Sequence, residues 1–222
     1  MLFTLLRNAG DFSFWELLVM LFGYAVLVLV MLPMHELAHG WTATALGDQT
    51  ARWNGRLSFN PFAHLDLWGT LMLFAFGFGY ARPVPVNPRN FRSPRRDMAL
   101  VAAAGPLSNV LMALISLLAF SLLRFVPMMS KTMWDIAYLV FVQTLAYVNI
   151  SLAVFNLLPI PPLDGSRILS AFVPYRVSYW LQQYEQYIRI ALFVALAVGV
   201  LDKPLNLLSN WLFRILCTIV GL

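Results

Sequence analysis

Apolar positions along this chain gather into long runs divided by short polar breaks. Four runs stand out, at 14–46, 98–123, 136–158 and 188–201. A bilayer core takes about 20 helical residues, so the second and third qualify directly, and the fourth needs the flank 184–187 to reach full length. A fifth run, 205–222, is broken by Asn206, Asn210 and Arg214 and reads as a tilted span or an interfacial helix. The run 67–80 is short and holds Gly69, Gly77 and Gly79, which predicts a re-entrant or interfacial segment. Within 48–59 the residues Thr50, Trp53, Arg56, Leu57 and Phe59 look strand-like, with Asn54-Gly55 as the turn, so a hairpin beside the membrane is expected. The fold class predicted is an all-α polytopic membrane protein of four to five transmembrane helices, with a small membrane-associated β-hairpin and a re-entrant segment. One domain, 1–222, is expected, with a catalytic core at about 14–167.

Composition supports the membrane assignment. Of 222 residues, 60% are apolar and 11% charged, against about 25% charged in an ordinary soluble domain. The net charge of +5 would suggest nucleic acid if it came with a recognition motif. None is present, and nucleic acid is not an expected partner. The basic residues cluster between runs instead, most densely at 82–96, as cytoplasmic loops do. If 67–80 is re-entrant, Arg52, Arg56, Arg82, Arg89, Arg92, Arg95 and Arg96 all lie on one face. Arg167, Arg176 and Arg189 join them, leaving Arg7, Arg124, Lys131 and Lys203 outside. The single Cys217 forms no intrachain disulfide, and the first run continues past any cleavage point a signal peptide would have.

The first run contains His35-Glu36-Leu37-Ala38-His39. Residues four apart on a helix differ by about 40° in rotation and about 6 Å along the axis, so both imidazoles share a face and can bind one metal ion. Glu36 sits beside the first, placed to reach a water rather than the metal. This H-E-x-x-H spacing suits zinc and a general base. Two surface histidines would explain it in a soluble helix, but ionisable residues within a span are costly and usually functional. Pro33, just upstream, weakens the helix locally. Catalytic zinc takes three protein ligands, and the end of the third run offers a third in Asn156-Leu157-Leu158-Pro159-Ile160-Pro161-Pro162-Leu163-Asp164-Gly165. The prolines end regular helix there and Gly165 permits a tight turn. A carboxylate on irregular backbone at membrane depth needs protein or a polar cavity around it, and zinc would explain it.

The two motifs, their order and their apolar setting resemble the site-2 protease family of intramembrane zinc metalloproteases, peptidase family M50. The resemblance covers about 33–167. It implies His35, His39 and Asp164 as ligands of one Zn2+ per chain, Glu36 as catalytic base, and Asn156 as partner of a substrate carbonyl or oxyanion. Gly105-Pro106-Leu107-Ser108-Asn109 resembles the family's G-x-x-x-N element in the middle core span and brings Asn109 near the site. The chain has no room for the PDZ or CBS domains of larger members, so a compact form is expected. His64 and Asp66 form a second small cluster, readable as a second shell, a regulatory ligand, part of a gate or an ordinary interfacial loop. Arg167 could pair with a carboxylate near the site or meet lipid phosphates. The expected partners are a transmembrane protein substrate and the bilayer. The expected location is a prokaryotic cytoplasmic membrane with the site toward the cytoplasm. A zinc-binding membrane protein or transporter component without protease activity is the competing reading, although it has no use for Glu36. Substrate identity and oligomeric state are not legible in the residues.

Overall fold

Helices make up the architecture. The computed structural model describes residues 18, 21–23, 25–66, 69, 71, 82–123 and 131–222. These form α1 (Leu21–Ala45), α2 (Thr50–Trp53), α3 (Pro94–Leu122), α4 (Lys131–Asn156), α5 (Asp164–Phe172), α6 (Tyr175–Gln183), α7 (Glu185–Val198) and α8 (Asp202–Val220). Helices α1, α3 and α4 are each long and apolar enough to cross a membrane. Helices α7 and α8 reach that standard as a pair bent by 83°, turning at Gly199, whose φ of 78° is one that glycine adopts without a Cβ penalty. The run expected as a fourth span and the run expected as a tilted span or an interfacial helix are the two arms of this bent pair. This is an integral membrane protein. The expected re-entrant segment at 67–80 lies outside the described residues apart from Gly69 and Leu71.

Helix α3 is the hub, packing against α1, α4, α5 and α8. Its face toward α4 and α8 buries Ala113 and Leu117 with Val142, Ala146, Ile150, Val154 and Leu216. Alanines at such a seam let helix backbones approach closely, which is how helices associate where lipid supplies no hydrophobic drive. A second cluster joins α1 to α3 and α4 through Leu27, Val28 and Met31 against Met112, Leu145, Val148 and Leu152. Helix α1 winds as a π-helix over Leu27–Met31 and as an α-helix from Leu32 to Ala45. Pro33 has no N–H to give the carbonyl one turn back, and the wider turn takes up that irregularity just before the histidines. Helix α4 carries a longer π segment, Tyr138–Tyr147.

The segment 48–59 corrects one expectation. It contains no strand and no hairpin. Residues Thr50–Trp53 form the single-turn α2, and Asp48 begins it by accepting from the Thr50 N–H at 3.1 Å. Asn54-Gly55 ends it. Gly55, at φ 64°, donates to the Arg52 carbonyl, while Arg56 donates to that of Ala51. Those two bonds are the glycine-terminated helix cap of the Schellman type. The same dipeptide serves a hairpin turn or a helix stop, and here the upstream turn, in which Thr50 donates to Asp48, decides for the helix.

Candidate metal centre and its surroundings

Helix α1 turns His35 and His39 inward, leaving them 6% and 8% exposed. His39 Nδ1 donates to the Val101 carbonyl of α3 at 2.7 Å. That bond orients the ring and leaves Nε2 free as a ligand atom. The neighbouring turn of α3 supplies room. A Cβ built on Gly105 would lie 2.4 Å from His39 Nε2 and 2.6 Å from His35 Cε1, so only glycine lets both imidazoles pack against α3. The third group arrives from the other end of the chain. Helix α4 stops at Asn156, the proline-rich turn follows, and Asp164 opens α5. Gly165 makes the turn tight enough, because a Cβ there would meet the Leu157 carbonyl oxygen at 2.2 Å.

The three donor atoms form a small triangle. His35 Nε2 lies 3.1 Å from His39 Nε2 and 3.1 Å from Asp164 Oδ2, and His39 Nε2 lies 3.3 Å from the same oxygen. Ligands held at 2.0–2.1 Å around a tetrahedral zinc stand about 3.3–3.4 Å apart. The triangle is thus within a few tenths of an ångström of one face of that tetrahedron, and two neutral imidazoles with a carboxylate are a donor set zinc accepts. Among the described residues this is the group of histidines and carboxylates that could hold a metal ion.

The family model for Peptidase family M50 matches residues 121–200, a stretch that contains Asp164. Over 165 residues the chain is 42% identical to the protein named "Putative zinc metalloprotease YwhC" from Bacillus subtilis (strain 168), covering 74% of this chain and 75% of that one. It is 32% identical over 191 residues to "Putative zinc metalloprotease Rip2" from Mycobacterium tuberculosis (strain ATCC 25618 / H37Rv), covering 83% and 70%. The chain belongs to peptidase family M50. No solved structure matches it.

In this M50 chain the remaining candidates take different places around the triangle. Glu36 lies beside the triangle on α1, and its Oε2 accepts from the Val84 N–H at 2.9 Å. That contact, with a loop 48 residues downstream, was not legible in the motif. Asn109, one turn beyond Gly105 on α3, is 1% exposed, and neither amide atom has a hydrogen-bond partner among the described residues. Asn156 donates to the Leu152 carbonyl of its own helix at 3.0 Å. His64 is fully buried, with Nε2 on the Ser58 carbonyl at 2.8 Å, and Asp66 accepts from the Gly69 N–H at 2.9 Å. Neither belongs to the triangle, and both hold local turns. Arg167 is exposed and makes no ion pair among the described residues.

One electrostatic feature lies outside the spans. Asp48 is 0% exposed. Burial pushes its carboxyl up. Hydrogen bonds from the Thr50 hydroxyl, the Asn87 N–H, the Asn90 amide and the Thr50 N–H outweigh that, and the net effect holds it below the usual carboxylate value. A carboxylate with this many donors stays charged.

Proposed function

We propose that the chain is an intramembrane zinc metalloprotease that hydrolyses peptide bonds in or near transmembrane segments of other membrane proteins. The observation that supports this reading best is the triangle of His35 Nε2, His39 Nε2 and Asp164 Oδ2 with Glu36 at its edge. When bound there, zinc supplies Lewis-acid polarisation of the scissile carbonyl and a lowered pKa for water. His35 and His39 from α1 and Asp164 from α5 would hold the ion, and the His39–Val101 bond keeps the His39 ring aligned. Glu36 takes the proton of the attacking water and delivers it to the leaving amine. Asn156 has a second amide hydrogen beyond the one given to Leu152, which suits it to a substrate carbonyl or oxyanion. Asn109, buried one turn from Gly105 and without a hydrogen-bond partner among the described residues, is assigned the part of a polar group serving the site. Residues 1–222 act as one domain. The basic residues of 82–96 make their side of the membrane the cytoplasmic one by the positive-inside bias.

The test is cleavage of a reporter transmembrane segment by wild-type protein and by Glu36→Gln, with zinc measured in both. The expected outcome is one zinc per chain in each and cleavage only in wild type. Equal cleavage rates would remove the base role, and absence of zinc in wild type would remove the centre itself.

A further inference from the structure

We propose that Asp48 is a positioning residue for Glu36, acting through the backbone of residues 82–90. The inference rests on the reading of Glu36 as the base and adds what holds it in place. It begins with the sequence Arg82-Pro83-Val84-Pro85-Val86-Asn87-Pro88. Prolines fix their own φ and have no N–H, and they push the residue before them into extended backbone. Arg82, Val84 and Asn87 each precede a proline, so covalent geometry alone makes this stretch a stiff extended rod. It also strips away donors. Val84 carries the one backbone N–H between Arg82 and Val86, and that N–H is given to Glu36.

The rod is fastened on both sides of that contact. Upstream, the Arg82 N–H donates to the His64 carbonyl at 2.8 Å, and the Arg56 guanidinium donates to the Arg82 carbonyl at 2.6 Å. Downstream, Asp48 takes the Asn87 N–H at 2.7 Å and the Asn90 side-chain amide at 2.6 Å. The Val84 side chain lies over Gly40 of α1, one turn beyond Glu36, where a Cβ on that glycine would be 3.3 Å from Val84 Cγ1. Asp48 stands just after α1, the helix that carries Glu36. The connections therefore close a ring that runs from Glu36 down α1 to Asp48, across to Asn87, and back through the rod to Val84. Holding the start of α2 alone would need only the bonds that Thr50 donates to Asp48. The two further bonds, to Asn87 and Asn90, are what set the rod's register against Glu36.

The experiment uses the full zinc-loaded chain in detergent or liposomes. Because Pro83 and Pro85 have no amide, deuterium exchange over 83–85 reports Val84 alone. The expected result is a Val84 amide protected in wild type and in Glu36→Gln, whose side-chain oxygen still accepts, but exchanging about tenfold faster or more in Glu36→Ala and Asp48→Asn. Asp48→Asn keeps its zinc and loses about 10- to 100-fold in kcat, with KM within about twofold, as misplacement of a reacting group by about 1 Å does. Val84→Pro, which removes the N–H while suiting an extended rod, shows the same loss. The double variant Asp48→Asn/Val84→Pro is no worse than either single one, since both act through one contact. The proposal is overturned if Val84 exchanges equally in all four proteins, if the two kcat losses multiply, or if Asp48→Asn raises KM and leaves kcat unchanged. Should Asp48→Asn not fold, Val84→Pro and the contrast between Glu36→Ala and Glu36→Gln decide. Full cleavage by Glu36→Gln with Val84 still protected removes the base role yet leaves the positioning of residue 36 standing.

Discussion

Replacing Gly105 by alanine separates the metal centre from the fold around it. Within a helix, alanine is favoured over glycine by about 1 kcal/mol, so the intrinsic effect on α3 is stabilising. The methyl group, however, would lie 2.4 Å from His39 Nε2, 2.5 Å from His39 Cε1 and 2.6 Å from His35 Cε1, where ordinary contact begins at 3.4 Å. Relief therefore requires the imidazoles or α3 to move by about 1 Å. Overpacking of this kind costs about 1–3 kcal/mol, which the helix preference partly offsets, so the variant folds with a net loss of roughly 0–2 kcal/mol. Zinc tolerates far less, since ligand distances hold to about 0.2 Å. Gly105→Ala is expected to keep its helicity and most of its thermal stability while zinc affinity falls at least tenfold and reporter cleavage disappears. Metal content after dialysis against graded chelator, with a melting curve on the same sample, measures both. A variant that keeps one zinc per chain at wild-type affinity and cleaves normally would refute the close packing of α1 on α3.

Gly165→Ala should behave differently, because its Cβ would strike the backbone oxygens of Leu157 and Leu158 at 2.2 and 2.3 Å, and neither can swing aside. Melting temperature is expected to fall together with zinc content, and a stable, zinc-loaded Gly165→Ala would contradict the tight turn. Asp48 gives a pH dependence. Its pKa is lowered in the folded chain, so its stabilisation is complete above the unfolded value of about 3.9 and is lost as pH falls below that. Comparing melting temperatures of wild type and Asp48→Asn should show a gap near pH 6 that narrows below about pH 4. Zinc removal by a membrane-compatible chelator should abolish cleavage and leave helicity unchanged, because the clusters joining α1, α3, α4 and α8 contain no metal ligand. Re-addition of zinc should restore activity.

What the residues disclosed follows from how much chemistry is local. The histidine pair was readable because a single helix fixes both side chains. Asp164 was readable because three prolines and a glycine in one short stretch admit few conformations. The spans were readable because a bilayer demands length and apolarity, and α1 ends at Ala45, one residue from the expected limit. The segment 48–59 misled because Asn54-Gly55 serves two kinds of turn, and the donors that fix the upstream Asp48, Asn87 and Asn90, lie about 40 residues away. The Glu36–Val84 contact was hidden for the same reason, although the alternating prolines at 83 and 85 mark a rod with one free donor. Gly105 was legible only as part of a spacing pattern. Its steric role depends on how closely α1 approaches α3, and no local rule sets that.

The distance along the chain between the metal-binding groups has a consequence for synthesis. His35 and Asp164 are 129 residues apart, and at roughly 5–20 residues per second a ribosome needs on the order of 10 s to pass from one to the other. During that interval the histidine pair is already made and inserted, with no carboxylate to complete it. A truncated or stalled product would carry Glu36 and two imidazoles but could not assemble the centre. With the centre proposed above, the order of the two motifs leaves the donor triangle incomplete inside the membrane until Asp164 has left the ribosome.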